Sequence, residues 1–169
     1  PDLLDVLYQH FFWSWKGQQG PGEKGYYQQP VYSEHKGKFS SRDIYTHITA
    51  AHEDFADELP ALTDKQKEAL AMTQQIANDP KFHISMMFEP GDIQFLNNHV
   101  TLHSRTEFDD WPEEDQKRHL LRMWLSMPNT RELSPLMGAI YRDQRGGAVR
   151  GGFPSRTGTH SYETVKAQD

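Results

Sequence analysis

Pro90–Leu125 reads PGDIQFLNNHVTLHSRTEFDDWPEEDQKRHLLRMWL. How its two ends are built decides the fold. Pro90-Gly91-Asp92 has turn chemistry. Ile93, Phe95 and Asn97 then alternate with Asp92, Gln94 and Leu96, the period-2 pattern of a strand, expected over 92–98. Residues an even number apart in a strand share a face. In a second strand, expected over 118–126, Arg118, Leu120, Arg122 and Trp124 therefore point one way. His119, Leu121, Met123 and Leu125 point the other. Between the two strands lies an acidic loop, 104–117, holding Glu107, Asp109, Asp110, Glu113, Glu114 and Asp115.

Arg122 is the unusual residue, a cation between Leu121 and Met123 in a strand expected to be mostly buried. A buried guanidinium without an anion is costly. Two partners suit it: a structural carboxylate such as Asp92, or a ligand carboxylate that its planar fork grips in two parallel hydrogen bonds. His103 alone is equally open, either an ordinary hydrogen-bonded histidine or a metal ligand. His99 and His103 lie four apart, a spacing that serves metal binding on a helix. This segment follows a strand and lacks a helical apolar stripe, which argues against a zinc site of that kind.

Working outward, Ile84, Met86 and Phe88 alternate with Ser85, Met87 and Glu89, predicting a further strand over 82–89. Thr63 and Gln66 form a capping-box pair that opens a helix over 64–78, stopped by Asp79-Pro80. Ile44, Ile48, Ala51 and Phe55 predict a helix over 42–58, with Ser41 placed to cap it. Val31-Tyr32-Ser33 and Lys38-Phe39-Ser40 predict a strand pair turned at Lys36-Gly37. Phe11–Trp15 reads as a strand and the Gly- and Gln-rich run to residue 30 as a loop. Residues 2–9 read as a short helix capped by Asp2, with Leu3, Leu4 and Leu7 on one face. The Gly- and Arg-rich stretch 138–169 reads as an irregular tail.

A chain of 169 residues suits one domain with a sizeable core. Its net charge of −6 argues against a nucleic-acid module, which normally carries a basic face. No apolar run approaches the ~20 residues of a membrane span. The absence of cysteine excludes disulfides and thiolate chemistry. No signal-like segment opens the chain, so a soluble cytoplasmic protein is the expectation. Pro1 stands where a start methionine would, directly before an apolar helix-like run; this reads as a fragment, a processed product or a partial gene.

Gly91-Asp92, Asn98, His103 and Arg118-His119-Leu120-Leu121-Arg122 together resemble the end of the taurine dioxygenase (TauD/TfdA) family motif. That motif is a strand opened by Gly-Asp, then Asn-x-x-x-x-His, then an arginine strand. The upstream helices and the Tyr26-Tyr27 loop are similar to an insert in one bacterial branch of the family. The resemblance extends to about residue 150, and residues 90–125 carry its specificity. It implies that 1–169 is the C-terminal portion of a single dioxygenase domain. The implied fold is mainly β with flanking helices, a double-stranded β-helix (jelly roll) incomplete at its N-terminal side.

The same resemblance implies Fe(II) held by two histidines and one carboxylate on one face. By matching position His103 is the second histidine. Arg122 clamps the distal carboxylate of the co-substrate 2-oxoglutarate, and Arg118 is the second arginine near co-substrate or substrate. Asn98 falls near the metal end of its strand. In the intact enzyme O₂ is activated, 2-oxoglutarate is decarboxylated to succinate, and a C–H bond of a small organic substrate is oxidised. Neither nucleic acid nor membrane is implied as a partner; a homo-oligomer is possible.

The chain departs from the family in one respect. The His-x-Asp pair that supplies the other two iron ligands, and the threonine that helps hold 2-oxoglutarate, are not found where they belong. His52-Glu53-Asp54 matches literally but lies in an expected amphipathic helix. There, residues two apart diverge by about 200°, so the pair is rejected as ligands. His10, His35, His47, His83, His119 and His160 read as ordinary surface or strand histidines. Two other readings stand beside the dioxygenase. One is a jelly-roll binding or structural protein without a working metal site. The other is a cupin-like metalloenzyme, which would leave Arg122 without a task.

Overall fold

The computed structural model describes residues 2–150. In chain order, α1 is Asp2–Leu7, β1 His10–Ser14, β2 Tyr26–Pro30, β3 Tyr32–His35, β4 Lys38–Ser41, α2 Tyr45–Asp54 and α3 Asp64–Asn78. Short 3₁₀ turns follow at Glu114–Gln116 and Pro135–Met137.

β1 and β2 pair antiparallel, with Phe11 opposite Gln29 and Trp13 opposite Tyr27. Phe11 and Trp13 share the buried face, as a period of two requires. The Trp13 indole N–H donates to the Gln29 carbonyl at 2.9 Å. Tyr27 lies against both Trp13 and Trp15, with ring centroids 6.3 Å and 4.2 Å away. The strand expected over 11–15 is thus present, one residue earlier. Its partner, Tyr26–Pro30, falls where a loop was expected: glycines crowd the connection, and only the end of that run is strand.

β3 and β4 form the expected hairpin, Tyr32 opposite Ser41 and His35 opposite Lys38. Lys36 and Gly37 make the two-residue turn, both with positive φ (51° and 71°), as a primed hairpin turn demands. α3 opens on the expected capping box, with both reciprocal bonds between Thr63 and Gln66 made. It packs on α1 and brings Ala69 and Leu70 to the core. α2 lies on β1 through Ile48 and Ala51. It is shorter than the expected 42–58. Ser41 does not cap it, because Ser41 belongs to β4; Ile44 precedes the helix without a side-chain cap bond. Asp2, expected as a cap, sits inside α1.

The three strands expected over 82–89, 92–98 and 118–126 are absent; these residues are irregular or in turns, without ladder pairing. The Pro90-Gly91-Asp92 turn is present, with Gly91 at φ 100° and the Asp92 N–H donating to the Glu89 carbonyl. The reason is lateral. A strand needs a neighbouring backbone to take its N–H and C=O groups, and among the described residues none lies beside these. Their apolar side chains face solvent, with Ile84 88%, Met87 89% and Leu121 85% exposed. The alternation marks which side chains would share a face; it does not supply the partner.

The chain then returns to the core. Leu133 and Met137 are buried, and the Leu133 N–H donates to the Gln144 carbonyl. Glu132 bonds both His35 and Lys36, at 2.9 and 2.6 Å. Arg142 pairs with Glu23 at 2.7 Å. Arg131 donates to the Phe39 carbonyl at 2.6 Å. The Arg150 guanidinium donates to the carbonyls of Arg131, Asp143, Gln144 and Arg145. Residues 138–150 are irregular, with turns at 138–140 and 146–147, and the remainder of the expected tail, 151–169, lies outside the described residues. Among the described residues no helix is long and apolar enough to cross a membrane.

Ile48 is fully buried between α2 and β1. Ile48→Ala should cost about 2–5 kcal/mol in a urea melt, from lost transfer energy plus the cavity left behind. Amide hydrogen exchange should separate the two parts of the chain: slow in β1 and β2, fast over 82–96 and 102–125.

Candidate functional site

His103 follows the turn Asn97–Thr101, in which the Val100 and Thr101 N–H groups both donate to the Asn97 carbonyl. It is exposed, as are Arg118 and Arg122. The expectation that the two arginines turn inward on a buried strand face is therefore corrected, for the same lateral reason that removes the strand. The Arg118 backbone N–H donates to Asp110 Oδ1 at 2.8 Å. Its guanidinium lies 5.2 Å from the Phe108 ring centre, and that of Arg105 lies 4.3 Å from the same ring. Arg122 has no ion pair or side-chain hydrogen bond among the described residues, so Asp92 is not its partner; an Asp92 carboxylate oxygen accepts from the Glu89 N–H instead.

Among the described residues the segment meets the core near His99. The Ser41 N–H, at the end of β4, donates to the His99 carbonyl at 2.7 Å. Asn98, His99 and Thr101 are half-buried there, and they alone are so between Pro80 and Leu125. The His99 ring meets the Tyr141 ring edge to face, centroids 5.5 Å apart. Burial first, then the positive charges of Arg131 and Arg150, hold the His99 imidazole down to about 4.

Arg42, the next residue along the chain, is tied to β2's end: its backbone N–H donates to the Val31 carbonyl at 2.8 Å. Its side chain is half-buried, with Nε shut off from solvent and unsatisfied. It faces the Tyr27 hydroxyl, itself buried and short of a well-formed hydrogen bond. Burial raises that phenol while the guanidinium opposes the shift. His47 Nδ1 is 2.9 Å from the Ser14 carbonyl, and burial lowers its imidazole, assisted by the charges of Arg42 and Lys16. Both Asp43 oxygens are buried without a hydrogen-bond partner, and burial pushes its carboxyl up. Sequence reasoning passed over Arg42, Asp43 and Tyr27. The available signal was an Arg-Asp pair directly after a strand that ends in the core.

Two clefts open on the core. One, about 380 Å³, lies between Trp15, Tyr26, Tyr27, Lys24 and the Glu23–Arg142 pair. The other, about 270 Å³, lies beside His52 and the apolar Leu59 and Leu62. His52 is on α2 with its ring edge-on to Phe12, 6.1 Å between centroids, while Glu53 and Asp54 are exposed. His35 faces Glu132; His10, His83 and His119 are exposed; His160 lies outside the described residues. A facial iron site needs three protein ligands on one side of the metal. Among the described residues no three His, Cys, Asp or Glu groups gather to hold a metal. His103 is one donor, and these residues alone do not fit the ion.

Residues 1–124 match the profile of the family described as "Taurine catabolism dioxygenase TauD, TfdA family". The chain is 33% identical over 139 residues to "FR-33289 synthase" of Streptomyces rubellomurinus, covering 78% of this chain and 39% of that protein. It is 32% identical over 124 residues to "Taurine hydroxylase-like protein SAT17" of Stachybotrys chartarum, covering 73% of this chain and 31% of that one. The chain thus spans between about a third and two fifths of the length of these curated relatives.

The depressed His99 pKa sets a stability slope. The neutral imidazole is favoured in the folded state, so the unfolded chain takes up the proton first as pH falls below about 6.5. His99 should therefore contribute stability above pH 6.5, lose it progressively toward pH 4, and add no further slope below that. An NMR titration should place the His99 midpoint near 4, and His99→Gln should flatten the slope of urea-melt stability between pH 6.5 and 4.

Proposed function

The chain belongs to the taurine catabolism dioxygenase TauD, TfdA family, and from that premise we propose that it is part of an Fe(II)- and 2-oxoglutarate-dependent dioxygenase acting on a small organic substrate with O₂. The observation that carries the reading is the family match over 1–124, which contains Asn98, His103, Arg118 and Arg122 at the motif's spacing. In this reading His103 is one of the iron ligands. Arg122 grips the distal carboxylate of 2-oxoglutarate with its planar fork, and Arg118 lies beside it. Iron, when bound, would supply the activation of O₂.

The jelly roll belongs to the same proposal. Residues 82–89, 92–98 and 118–126 keep strand alternation while their backbones lack neighbours. They suit inner strands whose partners come from the part of the relatives' length that this chain does not span. Docked there, Arg122 and Arg118 would face one cavity with His103, and the apolar face now in water would be covered.

The test is succinate formation with Fe(II), 2-oxoglutarate and ascorbate. The 169-residue chain alone should give none, since His103 is a single ligand. A chain extended at its N-terminal side to its relatives' length, carrying a His-x-Asp, should turn over and lose activity on His103→Ala. In that longer chain Arg122→Ala should weaken 2-oxoglutarate binding by about 2–4 kcal/mol, with Arg122→Lys recovering only part. Unchanged affinity in Arg122→Ala refutes the clamp. Turnover by the 169-residue chain that vanishes with His52→Ala or Asp54→Ala would place the metal pair on α2 instead.

A further inference from the structure

We infer that the alternating stretches 82–98 and 118–126 form a docking surface for a separate polypeptide, the portion of its relatives' length that this chain does not span, and that the two associate without a peptide bond between them and without iron. The surface stands on the segment itself; the identity of its occupant rests on the dioxygenase reading above.

The segment holds more apolar surface in water than a lone chain normally keeps there. Ile84, Met87, Ile93, Phe95, Leu121 and Met123 are each at least 79% exposed. At on the order of 100 Å² or more apiece, they and their apolar neighbours together pass the roughly 800 Å² that one side of a stable interface buries. They also pass the largest apolar patch of a typical monomer, about 300–600 Å². The backbone is short of partners as well: among the described residues these stretches join no ladder. An unpaired strand of this pattern takes up another backbone along its edge.

The platform beneath is complete without the occupant. α1, β1, β2, α2 and α3 close a core of their own. The segment hangs from it by the Ser41–His99 bond and, beyond its end, by the bond from Arg131 to Phe39. The start of the chain lies elsewhere: α1 packs on α3, the Leu7 carbonyl accepts from Val31, and Asp2 stands 3.9 Å from Lys65. A peptide bond entering at α1 supplies none of the ladder or apolar contacts of the segment. Cutting it removes only the effective concentration that a linker gives. The occupant has length enough, since this chain covers 39% and 31% of its relatives. A second copy suits the surface less well. It would bring the same acidic loop, six carboxylates from Glu107 to Asp115, against its twin.

Trp111 and Trp124 are 63% and 61% exposed while Trp13 and Trp15 are buried, so tryptophan emission reports on docking. The N-terminally extended chain is cut directly before Pro1. Its two pieces are mixed, or produced together in one cell, with 2-oxoglutarate absent and iron removed by chelation. At about 10 μM they should form a one-to-one complex by light scattering, with blue-shifted tryptophan emission and slowed amide exchange over 82–96 and 118–125. Ile93→Asp and Leu121→Asp should each weaken association at least about tenfold, because each buries a charge in the interface. Both side chains are exposed in the free chain, so its own fold should be unchanged, as circular dichroism checks. No association under conditions where the uncut chain folds overturns the inference. So does association that leaves exchange in the segment fast, or that both aspartate variants keep undiminished. A dimer of the 169-residue chain that shields Trp124 and resists displacement by the other piece overturns it too, in favour of a second copy. Association in trans with no iron-dependent turnover in either form keeps the docking surface and removes the dioxygenase reading. Turnover by the uncut chain without association of the pieces does the reverse.

Discussion

Trp13 spans the first hairpin from inside. Its ring is wholly buried and its indole N–H reaches across to the Gln29 carbonyl. An indole that large can be buried at low cost only when its single donor is satisfied, so β1 must carry β2 beside it in this register. α2 then covers β1 through Ile48 and Ala51, and the Pro135–Met137 turn comes back to β2. Tyr27, opposite Trp13, is drawn into the same aromatic stack, which places its hydroxyl inside the molecule and facing Arg42. One satisfied hydrogen bond thus fixes both the small core and the polar group at its edge.

What could be read from the sequence was what is decided locally. The capping box at Thr63 and the Lys36-Gly37 turn depend on residues three apart or fewer, and both are present as read. Tyr26–Pro30 was missed because its strand character comes from facing Trp13 and Phe11, not from its own Gln-rich composition. The segment 82–126 failed in the opposite sense. Its alternation is real, yet a strand is a relation between two backbones, and the second is not among the described residues. The site divides in the same way. His103, Arg118 and Arg122 were found through a linear motif. The buried Tyr27 hydroxyl and the half-buried Arg42 were not, because burial is a property of the folded chain.

The distribution of charge is uneven. The chain as a whole carries a net charge of −6, while the acidic loop 104–117 stands in solvent. The cations cluster instead where the return segment closes over β3 and β4. Arg131 binds the Phe39 carbonyl there, and Arg150 gathers four carbonyls that lack helix or sheet partners. Two carboxylates stand among these cations, Glu132 on His35 and Lys36 and Asp143 on Arg145. Burial first, and then the charges of Arg131 and Arg150, hold the His99 imidazole down to about 4.

The bond between Ser41 and His99 is also a tether with a defined reach. A fully extended chain covers at most about 3.6 Å per residue, so His103, four residues past the tether, can travel no more than about 14 Å from it. Arg122 is restrained from the other side by Arg131, anchored to Phe39 nine residues later, and has a radius of about 32 Å. The two candidate ligand-holding groups are thus leashed to neighbouring residues of β4 with unequal slack. The shorter leash keeps the His103 imidazole at the higher effective concentration near β4, while Arg122 sweeps the wider volume.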